Sequence, residues 1–548
     1  MNERNSFAKI YQGGSMPRIV LALSVLFCGL IACSSNESSS SSTGQENLTE
    51  KPVDSQVEDK SEIESMTTPP AEEAPDSVEE EEETEEVEVS KPTGILRVAS
   101  ETFDAKGLGG GILQPLGAAP LPDGFTEVEL LVAGEATSYR SDLPLTSEGH
   151  WVFNEDTQEL YKTRVLVRFP PADRFSGVVV SEWMNVTAGV DNSIDWAFLS
   201  EEFGREGHAF VGVSAQLVGV MGRDTGRVPG GLIDTRGLPI RDPERYGDLT
   251  HPGDAFSFDI FTQASIAARD WLMSLYGKQA NTFIAMGQSQ SAGYLTSYIN
   301  GIDPIVRVFD GYLIHGRGDG APNPSTEGDR LPSVLIRDDV DVPVFIFETE
   351  TDLTVLRYAS ARQDDAENIR TWEVAGAAHS DTYSLAYPNG LPRRANLGAV
   401  IGCENLINDG PQHETLQAAF HLLNNWVTTG NAPSSSPRIE LIEGKEVVIA
   451  RDAMGIAIGG VRTPPVTAPL RILSGDPVAT EGFCFLFGDT TELDPESLND
   501  LYGSLGTYVQ QLQVAAAESV SNGWLLQSDA DIMIEEETER AVSLGLTG

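Results

Sequence analysis

Short apolar runs alternate with amphipathic and polar segments along the chain from about residue 126 onward. Several runs are continuously apolar, which is typical of strands that are buried on both faces of a sheet. The predicted strands cover residues 126–133, 164–169, 177–183, 209–213, 282–285, 308–314, 342–347 and 371–374. Helices are predicted over 256–275, 414–428 and 495–521. The alternation of strands and helices predicts an α/β fold with a mostly parallel central sheet flanked by helices, followed by a C-terminal extension.

The strand predicted over 282–285 leads into the sequence Gly287-Gln-Ser289-Gln-Ser291, and a helical pattern follows. A serine on a sharp turn between a strand and a helix is typical of the nucleophile elbow of serine hydrolases. The turn requires small residues two positions before and after the serine, and Gly287 and Ser291 meet that requirement. Glycine is the usual residue at the second of these positions. The pattern of Gly287, Ser289 and Ser291 is weak evidence by itself, because a serine in such a turn is often only a helix N-cap.

Two residues after later strands complete a candidate catalytic triad. Asp352 follows the strand predicted over 342–347, with Glu350 as the alternative acid. His379 follows the last predicted strand on a loop of glycine and alanine. Each could be structural when taken alone, since an aspartate is a common turn residue. The order Ser289, Asp352, His379 is the alpha/beta-hydrolase order, and it differs from the orders in chymotrypsin and subtilisin.

The chemistry of a serine nucleophile requires all three groups. A serine hydroxyl is a poor nucleophile unless a neighbouring base takes its proton, and His379 would be that base. Asp352 would fix the imidazole tautomer and stabilise the imidazolium. An oxyanion hole is also needed. Its expected backbone donors are the N–H of Gln290 and the N–H of Asn185 or Val186, in the loop after the strand over 177–183.

Other chemistries fit the sequence less well. Ser214 also follows an apolar strand, but the bulky Gln216 stands two positions after it and no clear helix begins there. The seven histidines form no H-E-x-x-H pair, so we predict no metal centre. The glycine run 107–111 has Ile112 where a dinucleotide motif needs its third glycine. We therefore predict an enzyme without a cofactor.

The first 33 residues have the pattern of a targeting segment. Arg18 precedes an apolar run over 19–31, which is too short to span a membrane. The run ends in Leu-Ile-Ala-Cys33, which resembles a bacterial lipobox. That resemblance implies cleavage before Cys33, lipidation of its thiol and, because Ser34 follows, the outer membrane of a Gram-negative envelope. An uncleaved anchor or an ordinary signal peptide is the alternative, and Met1 or Met16 could be the true start.

Residues 34–92 form a low-complexity segment rich in serine and glutamate. Residues 34–91 contain 19 Asp and Glu residues against 3 Lys residues. Such a composition cannot bury a core, so we predict a disordered acidic tether. Residues 93–548 are then the catalytic domain. The whole chain has a formal net charge of -47, which makes nucleic-acid binding improbable.

Four cysteines occur in the chain. Cys28 would leave with the signal peptide and Cys33 would be lipidated. Cys403 and Cys484 would then remain in an oxidising compartment, where a disulfide between them is favoured. Two free buried thiols are the alternative.

Motifs spread over residues 95–530 resemble the bacterial alpha/beta hydrolase domain-containing family. They are Glu182-Trp-Met-Asn-Val186, Gly287-Gln-Ser-Gln-Ser291, Glu348-Thr-Glu-Thr-Asp352, Gly459-Gly-Val-Arg-Thr-Pro464 and Phe483-Cys-Phe-Leu-Phe-Gly488. The resemblance implies the alpha/beta-hydrolase fold and the triad above, but no particular substrate. We expect a lipid-anchored, extracytoplasmic serine hydrolase that forms an acyl-enzyme from a small carboxylic ester. An amidase, a peptidase, a thioesterase and a non-catalytic envelope binding protein remain alternatives, and the oligomeric state stays open.

Overall fold

A computed structural model describes residues 97–227, 233–326, 328–442, 444, 446–477 and 483–547. The predictions for the signal peptide, for Cys33 and for the acidic tether concern residues outside this part of the chain. In the described residues, no helix has both the length and the apolar character that a membrane crossing requires.

The central sheet has nine strands. In chain order they are β1 (Glu101–Asp104), β2 (Thr126–Arg140), β3 (Asn154–Phe169), β4 (Val178–Trp183), β5 (Ala209–Val213), β6 (Thr282–Gln288), β7 (Gly311–His315), β8 (Val344–Thr349) and β9 (Ile369–Val374). Their spatial order is β1-β2-β3-β5-β4-β6-β7-β8-β9. The pairings from β1 to β5 are antiparallel, and those from β5 to β9 are parallel.

All eight predicted strands lie in this sheet; β5 has the predicted ends, and the ends of the other seven differ. β2 and β3 are much longer than predicted, because they continue as a paired ribbon in which the first residues of β3 are exposed and polar. The strand predicted over 308–314 begins only at Gly311, where pairing with β6 starts. β1 was not predicted, since its four residues form an exposed edge and carry no buried apolar pattern.

Seven helices in the described part of the chain have eight or more residues: α1 (Ile194–Glu206), α2 (Ser257–Tyr276), α3 (Gln290–Ser297), α4 (Gln412–Thr429), α5 (Pro495–Tyr502), α6 (Leu505–Ser521) and α7 (Gln527–Ser543). Successive strand residues contribute to opposite faces of the sheet. Phe283 and Ala285 pack with α2 and α3, whereas Ile284 and Met286 pack with α1 and α4. The sheet is therefore a buried middle layer between two helical layers.

Shorter elements fill the connections. The short helices are Leu217–Met221, Leu238–Arg241, Pro243–Tyr246, Asp254–Phe256, Tyr298–Ile302, Asp303–Val306, Glu350–Thr354, Tyr358–Ala361, Thr382–Ala386, Tyr387–Asn389, Gly398–Ile401, Pro464–Thr467 and Cys484–Leu486. Four small antiparallel pairs join Gly222–Arg227 to Asp234–Arg236, Ala321–Pro322 to Arg330–Leu331, Leu441–Ile442 to Val448–Ile449, and Arg471–Ser474 to Asp489–Glu492.

The prediction of one late helix over 495–521 is wrong. The structure has α5 and α6 there, separated at Gly503 and Ser504. Gly503 adopts a positive φ of 69°, which ends α5, and the Ser504 side chain accepts the Thr507 N–H to cap α6.

Candidate active site

Ser289 lies at the turn between β6 and α3. Its φ of 61° is in the left-handed region, which is uncommon for any residue other than glycine. The Ser289 N–H donates to the carbonyl oxygen of His315 at 2.8 Å, and this bond holds the strained turn against β7. A Cβ on Gly287 would lie 3.0 Å from the Ser291 Cβ. The turn therefore needs a glycine before the serine and tolerates a small side chain after it.

His379 and Asp352 meet Ser289 in one hydrogen-bonded chain. The His379 Nε2 lies 3.0 Å from the Ser289 Oγ, and the His379 Nδ1 lies 2.6 Å from the Asp352 Oδ1. His379 is 2% exposed and Asp352 is fully buried, while Ser289 is partly exposed. The structure thus brings together the three residues that the sequence predicted as a triad.

The second oxygen of Asp352 is held by its own turn. The Thr349 N–H and the Thr349 hydroxyl both donate to the Asp352 Oδ2 at 2.7 Å. In return, the Thr349 hydroxyl accepts the Asp352 N–H, forming a capping box at the short helix Glu350–Thr354. The carboxylate is therefore fixed with one oxygen directed at the imidazole.

Glu350, the alternative acid, points elsewhere. Its Oε1 accepts the Gly376 N–H at 2.6 Å. Its Oε2 accepts the Gly475 N–H at 2.9 Å and an Arg451 N–H at 2.7 Å. Burial raises the pKa of Glu350, and the charge of Arg451 opposes that shift. Glu350 thus ties the start of the His379 loop to the C-terminal extension, and the structure gives Asp352 the contact with the imidazole.

The predicted oxyanion donors differ in what they face. The Asn185 N–H donates to the Asn192 carbonyl oxygen at 3.0 Å, so it is engaged within its own loop. The Asn185 side-chain amide donates to the Gln288 carbonyl oxygen at 3.1 Å, which ties this loop to the elbow. The Val186 N–H faces the elbow and donates to the Gln290 Oε1 at 3.4 Å. The Gln290 N–H has no intrahelical acceptor, because Gln290 is the first residue of α3.

Ser214 has a structural environment. Its hydroxyl donates to the Asp191 Oδ2 at 2.6 Å and accepts an Arg164 N–H at 3.1 Å. The residue is fully buried. Further along the chain, Arg223 donates to the Thr187 carbonyl oxygen at 3.2 Å, in the loop that follows β4.

Sequence reasoning missed two close approaches to His379. A Cβ on Gly316, whose φ is +58°, would lie 3.3 Å from the His379 Nδ1. The Gln288 Nε2 lies 3.1 Å from the His379 Nε2. The glycine after β7 carried no signal in the sequence, because its importance depends on a loop some sixty residues later.

A second histidine–carboxylate pair adjoins the elbow, because its histidine accepts the Ser289 N–H, and it was also missed. The His315 Nδ1 is 2.8 Å from the Asp195 Oδ1, and the His315 Nε2 is 3.1 Å from the Gln412 Nε2. Burial lowers the pKa of His315 to about 3 and raises the pKa of Asp195 to about 8. Both directions favour uncharged side chains, as expected for groups without access to water.

Glu182, from the first motif of the resemblance, caps the helix that carries Asp195. Its carboxylate accepts the Ser193 hydroxyl at 3.0 Å, the Asp195 N–H at 3.0 Å and the Trp196 N–H at 3.3 Å. The two N–H groups are backbone donors that the first turn of α1 would otherwise leave unpaired. Glu182 of this motif therefore has a structural role, which is to cap the start of α1.

The C-terminal extension packs against the loop that carries His379. The Ser380 N–H donates to the Leu486 carbonyl oxygen at 3.0 Å. A Cβ on Gly488 would lie 2.8 Å from the Ala378 Cβ. A disulfide joins Cys403 and Cys484 in the structure, at a sequence separation of 81. The extension is thus part of the support for the histidine.

Two groups of three side chains lie close enough together to share a cation, in the part of the chain that the structure describes. They are His150 with Asp338 and Asp339, and Glu202 with Glu206 and His421. The first group is exposed, and Arg205 already pairs with Glu202 in the second. Neither group contains a residue of the triad.

The sequence profile of the alpha/beta hydrolase domain family matches residues 104–535. No curated protein matches the sequence. Among solved structures, the chain is similar to a fungal esterase from Rhizomucor miehei, with 10% identity, 57% of this chain and 88% of that chain covered, and a TM-score of 0.28. It is also similar to a glucuronoyl esterase from Solibacter usitatus, with 12% identity, 51% and 83% covered, and a TM-score of 0.26.

A third similarity is to the esterase domain of a Rhodothermus marinus protein, with 12% identity, 44% of this chain and 88% of that chain covered, and a TM-score of 0.20. These three likenesses are too distant to indicate a substrate.

Proposed function

We propose that this chain, which belongs to the alpha/beta hydrolase domain family, is a serine hydrolase that cleaves carboxylic esters. The observation that carries the proposal is the continuous hydrogen-bonded chain from the Asp352 Oδ1 through the His379 ring to the Ser289 Oγ. It ends at a partly exposed serine on a strained turn, where a substrate can reach the hydroxyl.

The first half of the reaction would acylate the serine. The Ser289 Oγ attacks the ester carbonyl carbon while its proton moves to the His379 Nε2. The carbonyl oxygen becomes an oxyanion, which the N–H groups of Gln290 and Val186 would stabilise. The intermediate then collapses, the bond to the leaving alkoxide breaks, and that oxygen takes the proton from His379.

The second half would release the acid. Water gives a proton to the His379 Nε2 as its oxygen attacks the acyl carbon, and the proton returns to the Ser289 Oγ when the acyl–serine bond breaks. The products are an alcohol and a carboxylic acid, and the enzyme is regenerated. Asp352 keeps the proton on the Nδ1, so that the Nε2 is the acceptor at the start of each half.

The same triad could serve an amidase, a peptidase or a thioesterase, since one fold hosts several acyl-transfer reactions. The alternative from a different class is a non-catalytic binding protein of the cell envelope that keeps the fold. The aligned chain of Ser289, His379 and Asp352 argues against it, because binding alone has no need for a serine hydroxyl hydrogen-bonded to a buried histidine and aspartate.

We also propose that the protein is attached by a lipid on Cys33 at the outer membrane, with residues 34–92 as a tether. The support is the tetrad Leu-Ile-Ala-Cys33 after a short apolar run and the acidic composition that follows. Cys33→Ser should move the protein from the membrane fraction to the soluble fraction of cells. Cys28→Ser, which alters a cysteine ahead of the cleavage site, is the matched control.

A fluorophosphonate probe tests the proposed chemistry on the full chain. We expect labelling of the folded protein, and its loss in Ser289→Ala but not in Ser214→Ala. Absence of labelling in the folded protein, or labelling that survives Ser289→Ala, would overturn the proposal. A panel of acyl esters of increasing chain length, with matched amides and thioesters, then separates an esterase from the alternatives.

A further inference from the structure

The side chain of Gln290 occupies one of the two donors that the proposed oxyanion hole requires. Its Oε1 accepts the Val186 N–H at 3.4 Å. The opposite end of the same amide donates from Nε2 to the Gln216 Oε1 at 2.9 Å. Gln290 therefore supplies one oxyanion donor from its backbone and blocks the other with its side chain.

A tryptophan determines which way both amides are turned. The Trp183 indole N–H donates to the Gln216 Oε1 at 3.1 Å. An indole nitrogen can only donate, so the Gln216 atom that faces it must be the oxygen. That oxygen in turn requires a donor on Gln290, which leaves the Gln290 Oε1 on the side of Val186.

The tryptophan itself has no freedom to turn. It is fully buried, and its ring lies against Phe258, Phe261 and Tyr294 at centroid distances of 5.5, 4.8 and 5.1 Å. The orientation of Gln290 is therefore imposed by the core of the protein and does not depend on solvent.

We propose that the Gln290 side chain is a displaceable occupant of the oxyanion hole, which the carbonyl oxygen of the substrate replaces at the Val186 N–H. This inference rests on the proposed function. The contact at 3.4 Å is long for a hydrogen bond, so the occupant is weakly held. An oxygen that gains negative charge accepts a stronger hydrogen bond than a neutral amide oxygen does. Replacing the Gln290 oxygen by the substrate oxygen is thus more favourable in the transition state than with the bound ester. Only interactions that are stronger in the transition state than in the bound substrate accelerate the chemical step.

Substitutions of similar size at Gln290 test the proposal. Gln290→Met removes the acceptor, keeps the volume and leaves the Gln290 backbone N–H in place. Because breaking one neutral hydrogen bond is no longer needed, kcat/KM for p-nitrophenyl acetate should rise about two- to tenfold, and the rate constant of fluorophosphonate labelling should rise with it. Gln290→Glu places a charged acceptor beside Val186 and should lower both rates about tenfold or more. A purely structural glutamine would make both variants slower.

Gln216→Met gives a second, independent measurement. It removes the acceptor that holds the Gln290 Nε2, and it should raise the same rates by a smaller factor. Because Gln216 acts through Gln290, the double variant should be no faster than Gln290→Met alone. Unchanged or reduced rates in Gln290→Met, or in Gln216→Met if Gln290→Met does not fold, would overturn the proposal, as would an additive double variant.

The wild-type chain separates this proposal from the one it rests on. If the wild type is not labelled by the probe, the serine mechanism itself has failed. If the wild type is labelled at Ser289 and Gln290→Met is labelled more slowly, only the role of the Gln290 side chain has failed.

Discussion

Two buried histidine–carboxylate pairs contact the serine turn, and only one of them faces the serine hydroxyl. In the pair of His379 and Asp352, the Nδ1 is 2.6 Å from the carboxylate and the Nε2 is 3.0 Å from the Ser289 Oγ. In the pair of His315 and Asp195, the first distance is 2.8 Å, but the Nε2 lies 3.1 Å from the Gln412 side chain.

The contact between ring and carboxylate is nearly the same in both pairs, so it does not by itself identify a catalytic base. What differs is the group that the other ring nitrogen meets. His379 meets a partly exposed hydroxyl, whereas both His315 and Asp195 are fully buried. His315 serves the turn through its backbone, since its carbonyl oxygen accepts the Ser289 N–H. One pair is suited to chemistry and the other to support.

The largest effect should come from removing each histidine in turn. We expect His379→Ala to lower kcat about ten thousandfold or more, because no other group can take the serine proton. We expect His315→Ala to change kcat less than about tenfold, since the backbone carbonyl that holds Ser289 remains. Ester hydrolysis by folded variants, checked by circular dichroism, measures both.

Both variants should be less stable than the wild type, but the larger loss of stability should come from His315→Ala. His315→Ala leaves a cavity and an unpartnered Asp195, and should lower the free energy of unfolding by about 3 kcal/mol. His379→Ala opens toward a partly exposed site and should cost less. A comparable loss of kcat in both folded variants would show that the two pairs are not divided in this way.

The two acids after β8 allow the second comparison. Asp352→Asn should lower kcat about a thousand- to ten thousandfold, because the asparagine amide cannot hold the proton on the Nδ1. Glu350→Gln keeps an acceptor but loses the charge that faces Arg451, so it should lower kcat about tenfold or less. Its main effect should be on stability, by about 1–3 kcal/mol after allowance for the partly exposed Arg451. Loss of kcat in Glu350→Gln alone would make Glu350 the acid.

The His379 loop packs directly beside one end of the Cys403–Cys484 disulfide. Cys484 begins the short helix whose Leu486 carbonyl oxygen accepts the Ser380 N–H. Replacing Cys403 and Cys484 by serine opens a cross-link over 81 residues. On the chain-entropy account, the free energy of unfolding should fall by up to about 4.5 kcal/mol. Urea denaturation of the double variant measures this, and dithiothreitol should destabilise the wild type but leave the double variant unchanged.

The fold class, the family and the strands were predictable because they depend on local patterns. Buried parallel strands read as apolar runs, and the family match over residues 104–535 confirms the predicted family and fold class. The prediction of a single late helix was wrong because the interruption depends on two residues, Gly503 and Ser504, inside an otherwise helical pattern. A glycine followed by serine is itself a stop-and-cap signal, so this error was avoidable.

The positions of Ser289, Asp352 and His379 were predictable because each follows a strand at the same edge of the sheet. The partners of Glu350 were not, since Gly475 and Arg451 come about a hundred residues later. The same holds for Gln290 and Gln216, and for His315 and Asp195. Such contacts depend on how segments distant in the sequence pack together, and the local hydrophobic pattern does not predict them.

The smallest predicted effect is a pH dependence of stability. It tests whether the pair of His315 and Asp195 is uncharged in the folded protein. Burial lowers the pKa of His315 to about 3, below the value of about 6.5 in the unfolded chain. The unfolded state then binds more protons below pH 6.5, so this group makes the fold less stable as the pH falls. Burial raises the pKa of Asp195 to about 8, above about 3.9 in the unfolded chain. That group makes the fold less stable as the pH rises through 8.

Between about pH 4 and 6.5 the two contributions oppose each other, and the pair adds little slope. From pH 6.5 to 8 only Asp195 acts, so it should lower the free energy of unfolding by about 1–2 kcal/mol over that range. Asp195→Asn cannot titrate, so it removes this contribution together with its coupling to Glu182, whose pKa is raised by burial and by the charge of Asp195. The difference between wild type and variant in urea denaturation should therefore shrink by about that amount as the pH rises. A constant difference would mean that Asp195 is ionised in the folded protein, as the acid of a catalytic histidine must be.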